Sequence, residues 1–184
     1  MTRSAIEALA VSLLLEQPSL NGTYALAFLD YRRLKTGGRA LIGSIEEYEK
    51  RSGTVLPEGT EGVTLCRGVR TLILYEDRGC SRERVNFTVA HELGHLFLAH
   101  TSNTPLSQRE ANDFATSLLM PECVIRYLDR QRPMPLSPTE MTRYFAASLT
   151  ACQKRRRELD GRRPLAPTLE DERLIRRLFF PEKG

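Results

Sequence analysis

No stretch of this sequence approaches the ~20 consecutive apolar residues that a membrane helix requires. Cys66, Cys80, Cys123 and Cys152 are far apart, without a C-x-x-C pair. The first absence argues against a spanning segment, the second against a secreted disulfide scaffold or a structural zinc cluster. Arg3 does precede an apolar stretch from Ala8 to Leu15, but Glu7 and Glu16 bracket it and no A-x-A cleavage site follows. It reads as an amphipathic helix and not as a signal peptide. Free thiols and a missing leader together predict a cytoplasmic protein that does not engage a membrane. Internal repeats and low-complexity tracts are absent as well.

What is present is ordinary for a globular chain: 184 residues, 41% apolar and 27% charged. That length can bury a sizeable core and suits one domain, or one domain with a small appendage. The net charge is +4. Much of the excess sits late, in Lys154, Arg155, Arg156, Arg157, Arg162 and Arg163. Such a block can bind nucleic acid, but more often it is a solvated helix face.

The first forty residues read as mostly helical, with Ile6, Leu9, Leu13 and Leu14 roughly on one face. Gly37-Gly38 breaks this region, and Ser44 to Arg51 predicts a short helix ended by Gly53. Val63, Leu65, Val69, Leu72, Ile73, Leu74 and Tyr75, interrupted by Arg67-Gly68, suggest two short strands in a hairpin. Ser81 offers an N-cap for a helix from Arg82 to about Ala99. A second helix is expected from Leu106 or Ser107 to Met120, closed by Pro121. Three prolines between Arg132 and Pro138 mark a linker. Helical pieces at Thr139–Ala146, Leu149–Leu159 and Leu169–Phe179 follow. The expected division is 1–132 for the main domain with its N-terminal helices and 133–184 for a helical tail.

His91-Glu92-Leu93-Gly94-His95 is an H-E-x-x-H sequence. At 100° per residue the two histidines lie about 40° apart and one turn along the helix. Two imidazoles so placed can reach one tetrahedral metal at roughly 2.0–2.1 Å. Glu92 sits about 100° round from His91, beside the ligands, where it can take a proton from water instead of filling a coordination position. Val85, Val89, Ala90, Leu93, Leu96 and Phe97 fill the far arc of the wheel. This is a core helix, and two histidines with a glutamate on a core helix need partners.

The third ligand is open on spacing. His100 would point about 180° from His91 if the helix continued. H-E-x-x-H-x-x-G-x-x-H would also demand Gly and His where Leu98 and Thr101 stand. His100 is therefore expected as a capping or core histidine in the last turn. Glu110, fifteen residues after His95, lies on the edge of the stripe formed by Ala111, Phe114, Ala115 and Leu118. Ser107-Gln108-Arg109-Glu110 also matches a capping box, so Glu110 has a purely structural reading. Asp113 is a further candidate, as ligand or as outer acceptor for a histidine N–H.

The run from Arg84 to His95 (R-x-x-F-T-x-A-H-E-L-G-H) is followed by Glu110-Ala111-Asn112-Asp113-Phe114-Ala115 and by Leu118-Leu119-Met120-Pro121. Over ~40 contiguous residues it resembles the ImmA/IrrE family of metallopeptidases. The resemblance implies an α+β, zincin-like core with a small sheet and the H-E-x-x-H helix. It implies one zinc per chain held by His91, His95 and Glu110, with Glu92 as general base. It further implies an endopeptidase whose protein substrate is a helix-turn-helix repressor, cleaved to release stress, phage or mobile-element genes. The first 60 residues carry no part of the likeness.

Thr139 to Leu159 also has the outline of a helix-turn-helix, with Ala146-Ala147-Ser148 as the turn and Gln153, Lys154, Arg155 and Arg157 as possible base readers. The competing function is therefore a DNA-binding regulator whose metal is structural or absent. The turn lacks its glycine, and a helical bundle that props the core or docks a protein is the expected role of the tail.

Overall fold

The computed structural model describes residues 1–68 and 70–181, and of Arg67 the backbone alone. Val69, expected in the hairpin, lies outside the described residues. The architecture is α+β: among the described residues there are nine α-helices, a short 3-10 turn and a three-stranded sheet.

Thr2 caps α1 (Arg3–Leu15), which buries Ile6, Ala10, Val11, Leu13 and Leu14. Helix α2 (Ala25–Phe28) and the 3-10 turn at Tyr31–Arg33 lead to β1 (Leu41–Ser44). Ser44 then caps α3 (Ile45–Ser52), which stops at Gly53. Strands β2 (Gly62–Arg67) and β3 (Arg70–Tyr75) pair antiparallel, as the hairpin pattern predicts. Strand β1, which the sequence reading did not contain, adds to the other side of β3 in parallel, so the order is β1-β3-β2. Strand β2 is thus a sheet edge.

Ser81 caps α4 (Arg82–Phe97), and the next helix, α5 (Pro105–Leu119), packs directly on it. The fully buried stripe Ala111, Phe114, Ala115 and Leu118 is the one read from the sequence. Pro121 does not end the helical region; it stands at the N-cap of α6 (Glu122–Arg130), a helix absent from the sequence reading. The tail holds α7 (Pro138–Tyr144), α8 (Leu149–Asp160) and α9 (Leu169–Phe179). Helix α9 packs on α1 and α6, so the two ends of the chain share one core.

Charged residues reinforce that joint. Arg155 of α8 has no exposed side-chain surface and pairs with Glu7 of α1. Its Nε donates to the carbonyl of Met120 at 3.2 Å. Arg156 pairs with Asp129 of α6 at 2.8 Å and with Asp160. Two members of the basic block are therefore spent inside the fold, while Gln153, Lys154 and Arg157 remain exposed.

Candidate metal centre and active site

Helix α4 turns Val85, Val89, Ala90 and Leu93 into the core and leaves His91, Glu92 and His95 half-buried along its edge. Two close approaches frame that edge. A Cβ on Gly94 would stand 3.0 Å from both the Cα and the carbonyl oxygen of Ala111. Only glycine lets α5 come this near, and that approach brings Gln108, Glu110 and Asn112 to the histidines. On the other side, a Cβ on Gly62 of β2 would fall 2.4 Å from Thr88 Cγ2. The sheet edge therefore lies against α4, and Thr64 Oγ1 donates to Glu92 Oε2 at 2.7 Å.

The histidine rings face each other through Nε2, 3.1 Å apart. Their outer contacts fix the tautomers, because an amide oxygen only accepts and an amide nitrogen only donates. His91 Nδ1 lies 3.0 Å from Asn112 Oδ1, so it carries the proton and its Nε2 is bare. Gln108 Nε2 lies 3.0 Å from His95 Nε2, so that nitrogen also presents a lone pair. Burial, with His91 and then His100 nearby, pushes the His95 pKa down to about 4, which keeps the ring neutral near pH 7.

Two unprotonated Nε2 atoms thus converge, that of His95 accepting from the Gln108 amide, which would have to turn aside for an ion. A tetrahedral ion bound at 2.0–2.1 Å would hold two such nitrogens about 3.3 Å apart. Neutral imidazoles, bare Nε2 atoms and an outer hydrogen bond on each ring are what a divalent cation requires of its histidine ligands. The pair fits a metal ion.

Glu110 stands elsewhere than spacing suggests. Its Oε2 lies 3.1 Å from His100 Nε2, and its Oε1 bonds the amine of Met1; both partners hold its carboxyl below the usual range, the amine more strongly. It reaches His95 only through His100. Among the described residues no three His, Cys, Asp or Glu side chains gather as a ready metal cage.

The capping reading of Glu110 is overturned. Thr104 is the N-cap of α5, with Pro105 at the first helical position and Ser107 completing the capping box. Glu110 lies a turn further in, so its carboxylate caps nothing. His100 differs from expectation too. The helix stops at Phe97, Ala99 turns left-handed at φ 53°, and the chain folds His100 back beside His95 instead of carrying it to the far side. Asn112, not Asp113, is the acceptor on a histidine. Asn112 lay inside the quoted block without a role assigned. Thr64 and Gln108 had no local signal beyond their neighbours.

A half-buried histidine pair that fits a metal, with a carboxylate one residue after its first member, defines the chain as a candidate metal-dependent hydrolase. The profile of the M78 peptidases, described as the IrrE N-terminal-like domain, matches residues 55–156, more than half of the chain. The chain belongs to this metallopeptidase family. The match runs from the approach to β2 through α4 and α5 and ends inside α8. No curated protein matches the chain.

Proposed function

We propose that the chain is a zinc-dependent endopeptidase acting on a protein regulator, with His91, His95 and Glu110 holding the ion and Glu92 as general base. The observation that carries the reading is the convergence of two unprotonated Nε2 atoms at 3.1 Å beside a carboxylate that lies outside the pair. Zinc, when bound, supplies Lewis acidity that brings the pKa of a water towards roughly 7.

The chain's own residues do the remaining work. Asn112 orients His91 by accepting from Nδ1. Thr64 holds one oxygen of Glu92, which fixes the carboxylate's plane and leaves Oε1 as a proton acceptor. Helix α4 keeps its apolar residues behind the site, so the base is backed by core and approached from the open side. The metallopeptidase family implies a protein substrate. The finer reading, a helix-turn-helix repressor whose cleavage releases stress, phage or mobile-element genes, rests on the resemblance carried by residues 84–121. No helix among the described residues is long and apolar enough to cross a membrane. The cytoplasm suits such a substrate.

The test is to mix the protein with the repressor encoded beside its gene, with and without chelator. Discrete fragments that vanish with chelator and return with zinc support the reading; an intact repressor under all conditions removes it.

The second reading, a DNA-binding regulator, is disfavoured by a specific observation. Arg155, one of the four possible base readers, is buried and ion-paired, as is its neighbour Arg156, so a recognition helix built on α8 keeps Gln153, Lys154 and Arg157 of that set. The helical tail, 133–184, serves in our reading as a support for the peptidase core.

A further inference from the structure

We infer that His100 is a positioning residue that accepts the hydrogen bond of His95 Nδ1–H and ties that ring to Glu110. The inference rests on the metal reading above, which assigns His95 and Glu110 to the ion but gives His100 no part.

The chain path is the first argument. Helix α4 closes in a Schellman motif: Ala99 N–H bonds the carbonyl of Leu96 at 3.2 Å, and His100 N–H bonds the carbonyl of His95 at 3.0 Å. The left-handed position is normally glycine, because a Cβ there costs roughly 1 kcal/mol or more. Here it is Ala99, the one described non-glycine residue with positive φ. Its exposed side chain gives no packing reason for the strain. What the turn achieves is to fold His100 over the residue whose carbonyl it binds.

The side chains supply the second argument. His100 Nδ1 lies 3.1 Å from His95 Nδ1, and His100 Nε2 lies 3.1 Å from Glu110 Oε2. Every proton in this chain of contacts is determined by its ends. At one end the Gln108 amide nitrogen donates to His95 Nε2, so His95 must carry its proton on Nδ1 and give it to His100 Nδ1. At the other end a carboxylate only accepts, so His100 must present N–H from Nε2. Both demands call for the same neutral His100, with a bare Nδ1 and a protonated Nε2. The result is a directed series, His95 to His100 to Glu110, that leaves His95 Nε2 free of a proton and holds one oxygen of Glu110. An outer partner of this kind on a metal-ligand histidine contributes about 10–100-fold in metal affinity.

The experiment uses the metal-free full chain and three variants. In the wild type, ¹⁵N histidine spectra should report His95 as the Nδ1–H tautomer. His100→Phe keeps a ring but neither accepts nor donates, so His95 should stay the Nδ1–H tautomer through Gln108 but show a shifted Nδ1 resonance, and zinc should weaken about 10–100-fold in a chelator competition. His100→Gln, whose amide can accept at one atom and donate at the other, should recover both readouts. Ala99→Gly, which keeps the turn, should leave both intact. An unchanged His95 Nδ1 resonance, or zinc binding as tight in His100→Phe as in the wild type, overturns the inference. If the wild type itself binds no zinc, the metal reading fails, while the His95 Nδ1 resonance still decides the role of His100.

Discussion

The ion cluster joining α1, α6 and α8 and the histidine cluster between α4 and α5 are both built from groups that cost free energy to bury, and they meet that cost differently. In the first, Arg155 is satisfied by Glu7, Glu158 and a backbone carbonyl, and Arg156 by Asp129 and Asp160. Only Nε of Arg3 and of Arg162 lack a hydrogen-bond partner among the described buried side-chain atoms. Charges are closed against charges, and the cluster locks helices together. In the second the outer nitrogens are satisfied, and the inner nitrogens of His91 and His95 face one another, with the Gln108 amide on that of His95. The protein completes the first cluster by itself and, in the proposed reading, leaves the second to be completed by an ion. Satisfied polar groups mark structure; groups oriented with care yet left facing each other mark function.

The widest separation of the two clusters should come from Glu92→Gln. Thr64 can still bond the amide oxygen, so fold and zinc content should persist while repressor cleavage slows by on the order of 10² to 10⁴. Equal cleavage rates would take the base role from Glu92. In the ion cluster the effect should appear as stability. Arg155→Met strands the Glu7 carboxylate and should cost about 3–5 kcal/mol in urea unfolding, with most of it restored by adding Glu7→Leu. If the single variant is as stable as the wild type, the cluster is not a lock.

Gly94→Ala falls between the two regions. The added methyl meets α5 backbone at 3.0 Å, so helix α5 must give way, at a cost of about 1–3 kcal/mol that exceeds any gain in helix propensity. Zinc affinity should drop with it, because Gln108, Glu110 and Asn112 all ride on α5. Retained stability and affinity would refute the close-approach account.

The smallest expected effect is one of pH on the metal-free protein. His95 takes its proton near pH 6.5 when unfolded and at about 4 when folded. The unfolded state therefore binds the extra proton first. Stability contributed by this site is complete above about pH 6.5 and is lost as pH falls towards 4. His95→Asn should flatten that part of the melting profile, and an unaltered slope would place the titration elsewhere.

How far the sequence reached can be traced through individual residues. The short helix ended by Gly53, the cap at Ser81 and the buried stripe of α5 are local signals, and all three appear in the structure. Where local signals compete, reading failed. The expected start at Leu106 or Ser107 missed Pro105, which opens α5, places the cap at Thr104 and deprives Glu110 of its structural role. Pro121 does close α5, as read, but it also opens α6, which went unread. Strand β1 has four residues and depends on β3, some thirty positions on. The Schellman turn was hidden because alanine occupies the position where glycine would have announced it. The basic block read as a solvated helix face because the partner of Arg155, Glu7, is 148 residues away. Pairings across that distance leave no trace in a window of sequence.

The most direct measurement is zinc per chain, by elemental analysis of the wild type and of His91→Ala, His95→Ala and Glu110→Ala after identical dialysis. One zinc in the wild type, with none or a small fraction in each variant, is the predicted result. Full occupancy in either histidine variant would contradict the central claim that the facing Nε2 atoms hold the ion, and full occupancy in Glu110→Ala would remove that carboxylate from the ligand set.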